Sequence, residues 1–305
     1  MNQKGGIWLV VATAIISGFS IFLNKYSVSK IEPYTFTFLK NVVVAALLLS
    51  VLLFMREFRN LKQIGFNSWL RLVVIGFVGG SIPFLLFFKG LSMTSAAAGS
   101  FIHKTMFIYA SVLAFIFLKE RMNKKILIAA VLLLVGNFLL LKVNSISFGA
   151  GALLILIATL FWAFENVLSK AALRTMSGNV VAFGRMFFGS IFILIFLAIT
   201  RRLSLVMQLS TKDVLWTLIT SVLLLLFVMT YYNGLKFLKV SAATSILLLG
   251  SPITTLLQFA TGAPISLMEV VGMILVFAGV AVAIYFVELN KIANCIREKC
   301  PANMQ

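Results

Sequence analysis

The sequence predicts an all-α integral membrane protein with ten transmembrane helices, and three observations support this fold class. Of the 305 residues, 61% are hydrophobic and only 11% are charged, whereas a soluble domain carries about 25% charged residues. The mean hydropathy is +1.09, and a soluble fold of this length cannot bury so much apolar surface. The apolar residues also form continuous runs, each close to the roughly 20 residues that a spanning helix needs.

The ten predicted helices follow one another with short polar joins between them. Because the apolar runs are continuous rather than alternating, they indicate helices and not a barrel. The first run follows MNQKGG and resembles a signal peptide, but further runs follow it, so we interpret it as a retained first helix. The fifth run is the shortest. The runs cover residues 7–26, 34–55, 69–89, 95–118, 125–142, 149–170, 179–200, 214–235, 240–261 and 267–287.

The net charge is +18, but the positions of the basic residues favour a protein whose partner is the lipid bilayer and not nucleic acid. Nucleic-acid binding needs a basic face on a soluble domain, whereas here the basic residues lie mostly between apolar runs. With the N-terminus inside, 16 Lys and Arg residues fall on the inner side, 7 on the outer side and 3 within helices. The positive-inside rule therefore predicts a multi-pass protein of the cell (inner) membrane with both termini in the cytoplasm.

The two halves of the chain repeat each other. A shift of 145 positions places Lys170 on Lys25 and Arg185 on Lys40, and the matches continue at shifts of 144 and 143 in the later helices. Each copy has five predicted helices, an odd number, so the second copy enters the membrane the other way up. Inverted repeats of this kind are typical of secondary transporters, with a substrate site near the midplane between the halves.

We therefore divide the chain into three parts. Residues 7–142 form the first predicted repeat, residues 149–287 the second, and residues 288–305 a cytoplasmic tail. The cysteines, Cys295 and Cys300, both lie in the tail, where two thiols make neither a disulfide framework nor a zinc site. We expect them to be free, and the tail to be either a short basic helix or disordered.

Several short motifs, in this order and spacing, resemble the EamA type of the drug/metabolite transporter (DMT) superfamily. The resemblance covers nearly all of residues 7–287 and implies export or exchange of small metabolites, amino acids or drugs. It also implies a cavity formed by helices 1–4 and 6–9, with helices 5 and 10 at the periphery. The residues that carry it are Leu118-Lys119-Glu120-Arg121, Trp162 with Lys170 and Arg185, Tyr232-Asn233-Gly234-Leu235, Val240-Ser241-Ala242-Ala243 and Ser251-Pro252.

The two repeats differ at positions that matter for a site. Ala263 stands where the first repeat has Glu120, and Ser17 stands where the second has Trp162. Ser20 likewise stands where the second repeat has Glu165. We therefore expect an asymmetric cavity.

Charged residues inside the predicted helices are the main candidates for substrate binding. A charge at the bilayer centre costs roughly 2.5–3.5 kcal/mol on insertion scales, so such residues face a cavity or a partner. The candidates are Lys40, Lys104, Glu165 and Arg185, with His103 as a fifth.

Each charged candidate has a functional and a structural interpretation. Glu165 either binds a cationic group or a proton, or forms a structural ion pair. Lys40 and Arg185 either attract an anionic or zwitterionic substrate, one near each mouth, or extend towards lipid headgroups. Lys104 needs a partner if it is buried, and we expect that partner to be Glu165. His103 is either a cavity residue or an ordinary core histidine.

Aromatic residues complete the candidate site. Trp162, Tyr109 and Tyr232 are predicted to line the cavity, as are Phe19 and Tyr231, because they lie beside small or polar residues. Packing in the core or anchoring at the interface remains the alternative for each of them. Pro83 and Pro252 are expected to break helices and free backbone carbonyls at the cavity.

These patterns predict a secondary transporter that exports small metabolites such as amino acids by alternating access. The chain is predicted not to be an enzyme and to have no cofactor or bound metal, since no nucleotide loop, HExxH motif or metal-ligand cluster is present. Protons are a candidate coupling ion, and a monomer or a homodimer fits. The alternatives are a proton-coupled multidrug exporter of lipophilic cations that uses Glu165, a membrane enzyme or flippase acting on lipid-linked substrates, and a passive channel.

Overall fold

Ten long helices make up the protein in the computed structural model, which describes residues 2–57, 64–120, 124–140 and 149–297. A one-turn helix, Leu203–Val206, lies between the seventh and the eighth of them. No strand occurs in the described ranges. The helices α1 to α10 are Gln3–Val28, Pro33–Phe54, Phe66–Ser92, Ala98–Leu118, Lys124–Leu139, Ala150–Ala172, Gly178–Ile199, Thr211–Leu235, Val240–Ala260 and Leu267–Arg297.

The helices confirm the predicted fold class. Within the described residues, nine of them are long and apolar enough to cross a membrane. The remaining one, α5, has a shorter apolar stretch, Ile128–Leu139, in agreement with the short fifth run of the sequence. α10 continues as a helix to Arg297, so the first part of the predicted tail is helical. Cys300 lies outside the described residues.

Three spanning helices are interrupted near their middle. In α3 the residues Gly76–Ser81 form a wider π-helical turn, directly before Ile82-Pro83. In α9 the residues Leu247–Leu249 form a 3₁₀ turn just before Pro252. α4 is broken at Thr105. Proline accounts for the first two interruptions because it lacks the N–H that a regular helix needs.

The backbone repeats in the two halves. Non-glycine residues in the left-handed region are uncommon, yet Arg56 and Arg201 adopt φ of 58° and 56°, and they are 145 positions apart. Lys119 has φ 54° and Gly262 has φ 95°, and these two are 143 positions apart. A residue in the left-handed conformation therefore follows equivalent helices in both repeats. One pair follows α2 and α7, and the other follows α4 and α9.

The lysine shared by the two repeats makes the same contact in both. Lys25 Nζ donates to the carbonyl oxygens of Leu91 and Ser92, at 3.0 and 3.4 Å. Lys170 Nζ donates to the carbonyl oxygens of Leu235 and Lys236, at 2.8 and 3.0 Å. Each lysine thus satisfies the C-terminal carbonyls of the third helix of its own repeat, which are unpaired at a helix end. The lysine is part of the repeat scaffold.

The repeats interlock, because the main neighbours of most helices belong to the other repeat. α1 packs along α8, and α6, its equivalent, packs along α3. α2 packs along α7, and α5 packs along α10. Close approach of the last pair depends on glycines: a Cβ on Gly136 would lie 2.9 Å from the carbonyl oxygen of Gly272. α5 and α10 pair at the edge of the helical bundle.

Candidate functional site

One cavity lies between the two repeats, and eight helices contribute to its wall. It contains about 660 Å³ of empty space, including the part that is open to the outside. α5 and α10 contribute no lining residue, as predicted for helices at the periphery. The lining consists of Ser17, Ser20, Ile21 and Asn24 of α1, Lys40 of α2, Phe84, Phe87 and Phe88 of α3, His103 and Met106 of α4, Trp162, Glu165 and Asn166 of α6, Arg185 of α7, Leu224, Phe227 and Tyr231 of α8, and Leu247 of α9.

A backbone carbonyl in the interrupted part of α3 organises one side of the cavity. Pro83 lacks the N–H that would bond to the Gly79 carbonyl in a regular α-helix. The Gly79 oxygen instead accepts from Arg185, at 3.2 Å from Nε and 3.1 Å from Nη2, and from Trp162 Nε1 at 3.0 Å. The predicted break at Pro83 therefore does supply a carbonyl at the cavity, and this carbonyl orients two side chains of the other repeat.

Glu165 and Arg185 are joined through a tyrosine hydroxyl. Tyr232 donates its O–H to Glu165 Oε1 at 2.6 Å, and Arg185 Nη1 donates to the same hydroxyl at 3.0 Å. Ser169, one turn along α6, also donates to Glu165 Oε1. Glu165 is 1% exposed and Arg185 is 5% exposed. Within the described residues, Glu165 Oε2 accepts no hydrogen bond, so one carboxylate oxygen is available to a substrate.

Lys40 forms the second cationic group of the cavity. Its Nζ donates to Asn24 Oδ1 at 2.7 Å, and Asn24 Nδ2 donates to Ser20 Oγ at 3.0 Å. The ammonium lies 5.3 and 5.1 Å from the ring centroids of Phe36 and Phe88. The side chain is 1% exposed, so it does not extend towards lipid headgroups. Lys40 and Arg185 were predicted to lie near separate mouths, but both line this one cavity.

His103 belongs to an aromatic wall. Its ring centroid lies 5.0 Å from that of Trp162 and 5.4 Å from that of Phe87. Trp162 in turn contacts Phe84 and Phe87, at centroid distances of 5.3 and 5.2 Å. His103 Nδ1 is buried without a hydrogen-bond partner. The cavity thus combines an apolar aromatic surface with charged groups of both signs.

Lys104 does not pair with Glu165, contrary to our expectation. Its Nζ donates to Ser17 Oγ at 2.8 Å, whereas the Glu165 carboxylate is bonded to Tyr232 and Ser169. Adjacent positions on a helix point about 100° apart, so when His103 faces the cavity, Lys104 points past its edge towards α1. Lys104 is buried, but it is not among the lining residues.

Two of the predicted aromatic residues lie elsewhere. Tyr109 packs partly buried against the hydrophobic core and is not among the lining residues. Phe19 is 42% exposed on the outside of the bundle. It directly precedes Ser20 in α1, and adjacent residues of a helix point about 100° apart, so it does not share the face that lines the cavity. Tyr232 stands behind the lining and contacts it through Glu165 and Arg185.

The polar residues of α1 were not predicted, although the sequence contains a signal for them. Ser17, Ser20 and Asn24 are spaced by three and four positions and therefore share one face of α1. Their repeat equivalents on α6, 145 positions later, are Trp162, Glu165 and Ser169. Applying the repeat to the candidate residues of α6 would have identified this stripe.

Carboxylates of the first repeat bind the second repeat at the N-terminal face, defined here as the face where α1 begins and α2, α4, α6 and α8 end. Glu120 Oε1 accepts from the Val240 N–H at 2.8 Å, and Oε2 accepts from the Ser241 N–H and Oγ, at 3.3 and 2.9 Å. Glu57, which follows α2, accepts from Ser177 Oγ and from Asn179 Nδ2, at 2.6 and 3.2 Å. Both carboxylates thus cross to the beginning of a helix of the second repeat.

On the opposite face, a charged contact joins Arg202 of the second repeat to Glu32 of the first. Arg202 Nη1 and Glu32 Oε1 are 3.0 Å apart, and both side chains are partly exposed. By the repeat, Arg202 is the equivalent of Glu57 and Glu32 is the equivalent of Ser177. Ala263, which replaces Glu120 in the second repeat, has no carboxylate to make the remaining contact.

Comparison with known proteins agrees with this arrangement of two repeats around one cavity. The EamA-like transporter family matches residues 4–142 and, a second time, residues 149–285. The chain belongs to the EamA-like transporter family. It is accordingly a multi-pass membrane transporter and not an enzyme.

Individual relatives of this EamA-like chain are also transporters. The uncharacterised transporter YyaM of Bacillus subtilis (strain 168) is 27% identical over 295 residues, which cover 91% of this chain and 94% of YyaM. An uncharacterised transporter of Methanothermobacter thermautotrophicus (strain Delta H) is 24% identical over 186 residues, 56% of this chain and 54% of that protein.

A solved crystal structure has the same fold. It superimposes with a TM-score of 0.74 at 16% sequence identity, and the match covers 94% of this chain and 99% of that one. At this identity the likeness supports the fold alone.

Proposed function

We propose that this transporter exports small metabolites with an anionic or zwitterionic head and an apolar body, such as amino acids, by alternating access. The observation that carries the proposal is the separation of charge in the cavity. Lys40 and Arg185 line it together with Glu165, and none of the three is neutralised by a direct ion pair within the described residues. A zwitterion can meet a cation and a carboxylate in the same site.

The unused hydrogen-bonding capacity of these groups supports the same substrate class. Lys40 uses one of its three N–H donors, on Asn24. Glu165 uses Oε1 and leaves Oε2 free of protein donors in the described chain. Because buried polar groups are normally hydrogen-bonded, these free positions are suited to a carboxylate on Lys40 and an amine on Glu165. The aromatic wall around Trp162 suits an apolar body.

The position of the cavity supports alternating access. It lies between two repeats of opposite orientation, the arrangement in which one repeat moves against the other around a fixed site. We place the N-terminal face in the cytoplasm of the cell (inner) membrane, as the distribution of basic residues favours. Protons are our candidate for the coupling ion.

The alternative of a multidrug exporter of lipophilic cations has one observation in its favour, since Glu165 lies beside an aromatic wall that suits cations. Two observations count against it. Lys40 and Arg185 line the same cavity and would repel a cation, and they already lie over the rings of Phe88 and Phe84. We therefore favour the zwitterionic substrate.

The proposal is tested by comparing all metabolites in the medium of cells that overexpress the protein and cells that lack it. We expect one or a few amino acids or related zwitterions to accumulate outside the overexpressing cells. Arg185→Gln and Lys40→Gln should abolish the difference, while Lys212→Gln, at an exposed position, should preserve it. Export that persists in both cavity variants, or export confined to lipophilic cations and lost in Glu165→Gln, would contradict the proposal.

A further inference from the structure

A second, smaller pocket lies between α4, α5 and α9, apart from the main cavity. It contains about 210 Å³ of empty space, including the part that is open to the outside. Five of its seven lining residues are polar, although it is located within the helical bundle. The lining residues are Ser100, Phe101, Asn137, Leu140, Ser251, Thr254 and Thr255.

Three side-chain oxygens of this pocket have no hydrogen-bond partner: Ser100 Oγ, Asn137 Oδ1 and Ser251 Oγ. They are half of the six such atoms found in the described part of the chain. The three residues are 3%, 1% and 4% exposed. Buried polar groups are rarely left unpaired, because desolvation without a partner is costly. Three unpaired oxygens in one pocket indicate that a polar molecule or an ion binds there.

A buried lysine lies on the same helix as Ser100 and Phe101, although it is not among the residues that line this pocket. Lys104 is one helical turn after Ser100 on α4, and its Nζ lies 3.0 Å from the position that a Cβ would take on Gly250, the neighbour of Ser251. Its hydrogen-bond partner is Ser17 Oγ, at 2.8 Å. No carboxylate of the described residues lies within 4.0 Å of it. Buried charges in proteins are normally paired, and a charged Lys104 has no such counter-charge among the described residues.

We propose that the pocket binds a small monovalent inorganic anion, such as chloride, which serves as the counter-ion of Lys104. The hydroxyls of Ser100 and Ser251 can both donate to an anion. The Asn137 amide makes one long bond, from Nδ2 to the Phe101 carbonyl at 3.4 Å, and it contributes a donor to an anion only if it turns so that Nδ2 replaces Oδ1 and gives up this bond. A cation in the pocket would be repelled by Lys104, and water would leave its charge uncompensated.

The anion site is separate from the transported substrate, so its test does not depend on knowing that substrate. Thermal unfolding of the purified full-length protein in detergent is measured at constant ionic strength while sodium gluconate is replaced by sodium chloride. A ligand that binds only the folded state raises the melting temperature by mass action. We expect a rise of about 2–4 °C once chloride exceeds its dissociation constant by about fivefold, and a further increase with the logarithm of the chloride concentration beyond that.

Variants assign the effect to this pocket. The double variant Ser100→Ala, Ser251→Ala should lose the chloride-dependent rise, as should Lys104→Met. Ser111→Ala, on α4 but outside the pocket and with its hydroxyl bonded to the Phe107 carbonyl, should retain it. If Lys104→Met does not fold, the serine double variant decides. In crystals grown with bromide, an anomalous peak should lie between Ser100 and Ser251.

Three results would overturn the proposal. One is an equal melting temperature in chloride and gluconate, which would mean that the pocket holds water only. The second is a chloride effect that persists unchanged in the serine double variant. The third is a shift that follows sodium at constant chloride, or a bromide peak located elsewhere.

Discussion

Tyr232 is the residue that keeps Glu165 and Arg185 close without letting them neutralise each other. Its hydroxyl donates to the carboxylate and accepts from the guanidinium. A direct buried pair would use the hydrogen-bonding capacity of both groups on each other. With the hydroxyl between them, both groups stay anchored, and each retains hydrogen-bonding capacity for a substrate.

The hydroxyl of Tyr232 is therefore expected to be essential. Tyr232→Phe leaves the ring in place but removes one partner from each of two buried charges, which costs about 1–3 kcal/mol per unsatisfied group. We expect a lower melting temperature and at least about a tenfold loss of transport, since 1.4 kcal/mol corresponds to a factor of ten.

Tyr109→Phe is the matched control, because Tyr109 lies outside the cavity. It should change neither the melting temperature nor the transport rate by a comparable amount. Equal behaviour of the two variants would show that the bridge between Glu165 and Arg185 has no such role.

Gly79 contributes both a carbonyl and the absence of a side chain. A Cβ at this position would lie 2.1 Å from Glu165 Cγ, closer than any real contact allows. Gly79→Ala should therefore displace Glu165 and Arg185, lower the melting temperature and abolish transport. Gly65→Ala, where nothing lies within 4 Å of the added Cβ, should behave like the natural protein. Full transport by Gly79→Ala would contradict the geometry described here.

At the residue scale, the sequence predicts which charged side chains line the cavity. It does not predict the groups to which they form hydrogen bonds. The cost of burying a charge identified Lys40, Glu165 and Arg185, and all three line the cavity. The partners could not be predicted in the same way, because one is a main-chain carbonyl, that of Gly79, which has no distinguishing residue type. Lys104 was assigned to Glu165 for its charge alone, whereas its direction on α4 carries it to Ser17.

At the scale of helices, the contact of Glu120 with the beginning of α9 joins the two repeats at the N-terminal face. Lys239, which precedes α9, provides no side-chain cap, so the first N–H groups of this helix depend on Glu120. A carboxylate at a helix N-terminus is favoured both by these N–H groups and by the helix dipole. The contact joins the end of α4 in the first repeat to α9 in the second, and it must break if the two separate on this face.

Removing this contact should favour opening of the N-terminal face. The measurement is the rate at which a membrane-impermeant maleimide labels Ser20→Cys in the cavity, with Cys295 and Cys300 replaced by Ser. Glu120→Ala should raise the rate about tenfold when the reagent is applied from the N-terminal face. This is the effect of about 1.4 kcal/mol on a two-state equilibrium.

Arg202→Ala is the control for sidedness, since it breaks the charged contact on the opposite face. It should raise labelling from that face and not from the N-terminal one. If Glu120→Ala left labelling unchanged, or raised it equally from both faces, the contact would not control opening.

The sequence predicted this asymmetry in part. It placed Ala263 where the first repeat has Glu120, and this difference contributed to the prediction of an asymmetric cavity, not of different faces. It did not predict what Glu120 does, because the acceptor role depends on α9 beginning directly opposite the end of α4. Helix ends are specified by local residues, but contacts between the ends of different helices depend on packing across the whole bundle.

For the molecule as a whole, the inverted repeat explains both the cavity and its surroundings. Left-handed residues end equivalent helices, and Lys25 and Lys170 make equivalent contacts. The helices that line the cavity come equally from the two repeats. Each repeat therefore provides half of the cavity wall, and in the proposed alternating access a movement of one repeat against the other exposes the cavity to either side of the membrane.

The arrangement of the whole molecule as two inverted repeats was also the easiest feature to predict from the sequence. Long apolar runs leave helices as the preferred structure in a bilayer, and an odd number of them per repeat fixes the inversion. The weak similarity between the halves sufficed to align Lys40 with Arg185. Both were predicted as residues of one cavity, one near each mouth, and both line it; their individual partners were not predicted, because the depth of a residue along its helix does not reveal how closely the two repeats interlock.

The most direct test of the central claim, that the cavity between the repeats carries zwitterionic metabolites, is counterflow into proteoliposomes. Vesicles loaded with a mixture of unlabelled amino acids are diluted into medium that contains one labelled amino acid at a time, or labelled tetraphenylphosphonium. We predict transient accumulation of at least one amino acid, abolished by Arg185→Gln and by Lys40→Gln and preserved by Lys212→Gln. Accumulation of tetraphenylphosphonium alone, or amino-acid counterflow that survives both cavity variants, would contradict the account.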